Sequence, residues 1–214
     1  MKKELYVMYA LFIILIASLV SAEGALVKVI APSEEVGQQF IATIAQSPEI
    51  LYFKLGNAFG KKGDWASAEL AYKKAIVSSL HFKEAYHNLG TAYHEEGNND
   101  EAIAAFTTAI SIDPGYAKAH YSLALAYFEK GMLAEAVNHI TIAANLDQTN
   151  PGAQFDAGIM SVDLFQQGQE NGEIRSDLLF GAKIFFERCL EDDPLFPHAK
   201  DNLNIINKVA EYYN

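Results

Sequence analysis

Residues 83–116 read KEAYHNLGTAYHEEGNNDEAIAAFTTAISIDPGY, and the spacing of their apolar and small residues decides the fold. Tyr86, Leu89, Gly90 and Tyr93 recur at steps of three and four, the period of one helix face. Gly97 breaks the helix and turns the chain. Ala102, Phe106 and Ala109 then resume the helical step. Asp113-Pro114 ends it, because the residue before a proline avoids the helical region. The stretch predicts two helices joined by a tight turn. Gly90 and Ala102 are expected where the helices approach closely, with Tyr86, Tyr93 and Phe106 filling the space between. One such pair cannot bury its own apolar face, so copies must stack.

The copies are present. Gly63, Gly97 and Gly131 are spaced by 34 residues, as are Leu55, Leu89 and Leu123, and Ala68, Ala102 and Ala136. Phe59, Tyr93 and Tyr127 keep the step. So do Ala75, Ala109 and Ala143, and the bulky Tyr72, Phe106 and Ile140. Six columns that hold one residue class over three copies mark an internal repeat.

This pattern resembles the tetratricopeptide repeat (TPR). Residues 49–82 carry Tyr52, Leu55, Gly56, Phe59, Ala68, Tyr72 and Ala75 on the motif, with Leu80 in place of the closing proline. Residues 83–116 match throughout. Residues 117–150 place His120 at a large aromatic position, which reads as a packed core histidine, Ala124 at the first glycine and Gln148 at the proline. A fourth repeat, 151–196, is interrupted. Gly158, Ala182, Phe186, Cys189 and Pro194 match, but Gly158 and Ala182 stand 24 apart where Gly90 and Ala102 stand 12 apart. The twelve extra residues, near 164–177, are expected to extend the first helix through Gln167 and to form a loop over 168–177. Residues 197–214 predict a C-terminal capping helix through Ala199, Leu203, Ile206 and Val209. The resemblance implies an all-α solenoid of antiparallel helix pairs over 48–196: three regular repeats, one interrupted repeat and the cap.

The chain opens differently. Lys2 and Lys3 precede an uncharged apolar run, Leu5–Val20, that closes on Val20-Ser21-Ala22. A basic start, an apolar middle and small residues at the end describe a secretory signal peptide over 1–22. The run is also nearly long enough for an uncleaved membrane anchor over 5–22, an N-terminal hydrophobic helix. Either way the basic flank keeps the N-terminus cytoplasmic and sends the rest to the periplasmic or extracellular side. Residues 23–47 read as a spacer, with extended character over 25–31, followed by a short helix that caps the first repeat.

Composition narrows the chemistry. The 214 residues are 50% hydrophobic and carry 16 basic against 27 acidic side chains, a net charge of −11. Without basic runs, no nucleic-acid partner is expected. The single cysteine, Cys189, excludes an internal disulfide and a multi-cysteine zinc site. It reads as a buried thiol. Gly56-x-x-x-Gly60-Lys61-Lys62 imitates a phosphate loop but is one residue short and lies at a helix end. His87 and His94, two helical turns and about 10 Å apart, are too far apart to chelate a metal unaided. No catalytic residue, metal, cofactor or small-molecule substrate is expected.

The TPR resemblance implies an inner groove lined by the first helix of each repeat. Its candidate partner-binding residues are Phe53 and Asn57; His87, Asn88, Thr91 and His94; Lys118, Tyr121, Leu125 and Phe128; and Phe155 and Ile159. One TPR subfamily grips a peptide's terminal carboxylate with five basic and amide groups. Here Asn57, Asn88 and Lys118 match, whereas Phe53 and Ser122 stand where a lysine and an arginine would be. The expected function is a non-catalytic scaffold that takes a partner peptide or helix in this groove, outside the cytoplasmic membrane. The alternatives are an enzyme or metal protein with its site in 159–181, and a structural subunit that self-associates.

The leader reading is checked by the intact mass of the native protein. Cleavage after Ala22 gives a chain that starts at Glu23. A full-length chain that resists carbonate extraction identifies the anchor.

Overall fold

The computed structural model describes residues 47–213, and the expected leader, spacer and N-terminal cap (1–46) lie outside them. Nine helices and no strand occur among the described residues. They are α1 (Pro48–Gly60), α2 (Trp65–Ser78), α3 (Lys83–Glu95), α4 (Asn99–Ile112), α5 (Ala117–Glu129), α6 (Leu133–Leu146), α7 (Pro151–Glu170), α8 (Ser176–Asp192) and α9 (Ala199–Ala210). α3 packs on α4, α5 on α6 and α7 on α8, and each pair packs on the next. The result is a TPR-like helical solenoid. Among the described residues, no helix is long and apolar enough to cross a membrane.

Two kinds of glycine build it. Gly63, Gly97, Gly131 and Gly172 turn the chain after the first helix of each pair, with φ between 73° and 79°. This left-handed conformation is open to glycine at little cost. Gly56, Gly90 and Gly158 serve as seats for rings. A Cβ on Gly90 would stand 2.6 Å from Phe106, one on Gly56 2.5 Å from Tyr72, and one on Gly158 2.6 Å from Phe186. Gly90 thus seats the ring of Phe106, one of the side chains expected to fill the space between the helices. Ala102 is fully buried in a cluster with Phe106, Leu123 and Ala126. In the 117–150 copy both partners change together. Ala124 adds a methyl, Ile140 replaces the ring, and both are fully buried.

The alanine columns complete the core. Ala68, Ala102, Ala136 and Ala182 are wholly buried, as are Ala75 and Ala109. Cys189 takes the place of the last column's alanine and is wholly buried too. His120 is buried as expected. Its Nε2–H donates to the Pro114 carbonyl at 3.1 Å, and its Nδ1 lies 3.0 Å from Nδ1 of His139. The caps differ in means. Asp64 Oδ1 accepts from the Ser67 amide in α2, and Asn150 Oδ1 accepts from the Ala153 amide in α7.

The insertion departs from expectation. α7 has 20 residues where α5 has 13, and α8 has 17 where α6 has 14. The twelve residues are mostly helix, and the loop between the two helices is 171–175 instead of 168–177. The reason is local: Gly172 takes the left-handed conformation and the Glu173 amide donates to the Gly168 carbonyl at 2.8 Å, which closes the longer helix at Glu170. Phe165 is buried with Leu178, Leu179 and Ile206. Phe165 also meets Tyr213, whose ring lies edge-on at 5.5 Å. α9 covers the same cluster with Leu203, Ile206 and Val209.

The seat is testable by a double-mutant cycle. Gly90→Ala should cost about 1–3 kcal/mol through its clash with Phe106. Adding Phe106→Ile should recover part of that loss, as the Ala124–Ile140 pair does. Denaturant unfolding reads both, and additive losses would mean that the two positions do not share space.

Candidate functional site

The first helices α1, α3 and α5 present a connected row of polar side chains. Tyr72 Oη donates to Asn57 Oδ1 at 2.9 Å, and Asn88 Nδ2 donates to the same oxygen at 2.7 Å. Asn88 Oδ1 is then left to accept from His87 Nδ1 at 3.0 Å. That places the His87 proton on Nδ1, so Nε2 accepts from Ser122 Oγ at 3.0 Å. One chain of donors and acceptors thus runs across three helix pairs and sets the histidine tautomer. Thr91 Oγ1 donates back to the His87 carbonyl at 3.2 Å.

Further contacts repeat a 35-residue step. Tyr121 Oη donates to Asp156 Oδ2 at 2.6 Å, just as His87 meets Ser122. His94 Nε2 lies 2.9 Å from Glu129 Oε2, also 35 residues on, but off the line of a good hydrogen bond. That contact is an electrostatic pair when the ring is protonated. Ser122, Glu129 and Asp156 were not among the candidate residues. Their signal was available as a spacing of one repeat plus one residue.

The candidates divide by environment. Lys118 is exposed and the other eleven are half-buried. His87, Lys118 and Tyr121 come together with Ser122, Asp147 and Asn150 around a hollow of about 180 Å³ whose apolar lining is Ala117, Ala143 and Ala153. Leu125 and Phe128 lie against the Ala124–Ile140–Met160 cluster. Phe53 packs 4.8 Å from Phe82 and 6.0 Å from Tyr72. Phe155 sits between Phe186 at 5.7 Å and Phe196 at 5.1 Å, and Ile159 joins the same cluster. Both are as much packing residues as groove residues.

Burial tunes the charges here. It lowers the His87 pKa, with Lys118 adding to the effect and the Asn88 hydrogen bond opposing it. It raises Asp156 against the opposing hydrogen bond from Tyr121, and it raises Tyr121 together with Asp156. Cys189 is pushed up to about 11 by burial and nearby carboxylates, which keeps its thiol protonated and unreactive. Among the described residues, no three His, Cys, Asp or Glu side chains are grouped closely enough to hold a metal ion.

Family comparisons agree with this architecture. Residues 90–131 match a TPR repeat model and residues 117–150 a tetratricopeptide repeat model. Tetratricopeptide repeats are present over residues 90–150. YrrB, a TPR protein with an unusual peptide-binding site, is similar at 21% identity and a TM-score of 0.63, over 80% of this chain and 84% of that one. The MamA protein is similar at 21% and 0.62, over 75% and 81%. The first TPR of Spaghetti (RPAP3), bound to HSP90 peptide SRMEEVD, is similar at 22% and 0.53, over 56% and 94%. No curated protein matches the sequence. At these identities the likeness concerns the fold.

The titration of the row has a definite sign. His87 and His139 have folded-state pKa values below the unfolded value of about 6.5. The unfolded chain therefore takes up protons first, and stability is lost as pH falls below that value. Asp156 and Asp163, raised by burial, act in the opposite sense nearer the carboxylate range. Urea unfolding should show less stability at pH 5.5 than at 7.5, and His87→Gln should flatten that slope. An unchanged slope would exclude His87 as a contributor.

Proposed function

We propose that the protein is a non-catalytic scaffold that holds a peptide or helix of a partner protein on its inner face. The observation that carries this reading is the hollow beside α5. Its lining is partly apolar, polar groups converge on it, and the exposed ammonium of Lys118 stands at its edge. Such a mixture of apolar surface and a few fixed polar groups suits an extended or helical peptide. The TPR repeats and the peptide-binding neighbours support it. The reading takes residues 49–150 as three regular repeats and 151–196 as an interrupted fourth. The basic start and apolar run over 2–20 support an exported or anchored location, with the repeats outside the cytoplasmic membrane.

A terminal-carboxylate clamp is the weaker reading. Asn57 Oδ1 already accepts two hydrogen bonds, Asn88 is tied to Asn57 and His87, and Lys118 is the remaining cation of the five-group pattern. An enzymatic reading has less support still. The glycine that opens the phosphate-loop imitation, Gly56, is the seat of Tyr72.

Selection from a displayed peptide library tests the proposal. Selected peptides should bind Lys118→Glu and Tyr121→Ala about tenfold or more weakly, equivalent to about 1.4 kcal/mol. Ala104→Asp, on the outer surface, should leave binding unchanged, and so should amidation of the peptide's C-terminus. Equal binding to both inner-face variants would place the site elsewhere. Loss of binding on amidation would establish the clamp.

A further inference from the structure

The second helix of each pair carries an outward stripe, and the repeat lets the four stripes be compared. In α4 the stripe is Asp100, Ala104, Thr107 and Ser111, and in α6 it is Ala134, Asn138, Thr141 and Asn145, small and mostly polar. In α2 it is Ala66, Leu70, Lys73 and Val77, and in α8 it is Phe180, Ile184, Glu187 and Glu191. Leu70 is 47% exposed, Val77 81%, Phe180 63% and Ile184 38%. Within these stripes large apolar side chains stand only in the first and last pairs; on the inner helices Leu146, 47% exposed at the end of α6, lies beside the stripe. The inner stripes show that the fold itself does not require them. Clustered apolar exposure of this kind marks an interaction surface.

The two ends differ in charge. Residues 49–82 carry Lys54, Lys61, Lys62, Lys73 and Lys74 against Glu49, Asp64 and Glu69. α8 carries Asp177, Glu187, Glu191 and Asp192 against Lys183 and Arg188. They differ in relief as well. Val77 protrudes from α2, whereas an outward hollow of about 930 Å³ opens beside α8, lined by Leu179, Phe180, Ile184, Ala210 and Tyr213. The pairs containing α4 and α6 separate the two stripes, so they cannot meet within one molecule.

We infer that copies of this chain associate head to tail. The α2 stripe of one copy packs on the α8 stripe of the next, with Lys73 of the first beside Glu187 of the second. In a chain of net charge −11, pairing the net-basic first repeat with the net-acidic α8 lowers the repulsion between like copies and sets the register. Because two different patches are used, each bound copy still offers a free patch, and the assembly extends instead of closing as a two-fold dimer. The surface lies on the second helices and leaves the inner face free for a peptide.

Cross-linking of the full-length chain in the expressing cells tests this. Copies bearing Leu70→Cys and copies bearing Ile184→Cys, differently tagged, are co-expressed and mildly oxidised. The native Cys189 is wholly buried and does not compete. The expected product is the mixed dimer, several-fold above either variant paired with itself and above an Ala104→Cys with Asn138→Cys control. Lys73→Glu added to the first copy should lower the yield, and Glu187→Lys added to the second should restore it. Cross-linking at the control level, predominance of same-variant dimers, or failure of the charge exchange to restore the yield would each overturn the proposal. Peptide binding to the inner face is read separately and is unaffected by any of these outcomes.

Discussion

The seating of a bulky side chain from each second helix against a small residue of the first sets the geometry of the described solenoid. Tyr72 rests on Gly56, Phe106 on Gly90 and Phe186 on Gly158, each closer than a Cβ would allow. The distance between paired helices is therefore a property of these contacts, and interior packing leaves little slack to change it. Where the small residue gains a methyl, at Ala124, the large one gives up its ring, at Ile140. The volume of the pair is kept within what the core accepts. A constant spacing within pairs lets successive pairs stack with one step, and that step brings residues 35 apart into contact on the inner face.

The polar row is a consequence of this regularity. His87 meets Ser122 and Tyr121 meets Asp156 through the same offset, although the chemistry of the two contacts differs. In half-buried surroundings such groups are stable only when paired, and the row satisfies them in sequence from Tyr72 to Ser122. The inner face is thus internally bonded over its first half. What is left over is the exposed Lys118, the hollow beside it and the apolar edges of α5.

The insertion follows the same logic at the other end. Lengthening α7 and α8 together keeps their backbone hydrogen-bonded and gives Phe165 a buried site against Leu178 and Leu179. The extension also brings the start of α8 beside the end of α9, which creates the outward hollow there.

The sequence alone was enough for the repeat, the helices and the turns. Glycine at left-handed positions and apolar residues at helical steps are local signals that recur every 34 residues. The wider spacing of Gly158 and Ala182 corresponds to the longer α7 and α8. The bounds of the loop were not legible, however, because the extra residues displace the 34-residue column that marks the other turns, and the closing contact from the Glu173 amide to the Gly168 carbonyl exists only in the folded chain. Spacing shows that Gly90 and Ala102 are small, but only the crossing of the helices decides that it is Phe106 that rests on Gly90. The candidate groove divided in the same way. Motif position placed all twelve residues on first helices, yet hydrogen bonds between repeats decided that Asn57, His87 and Asn88 are bonded to one another. Packing from α8 and the turn before α9 decided that Phe155 supports the core, a matter of contacts between segments distant along the chain.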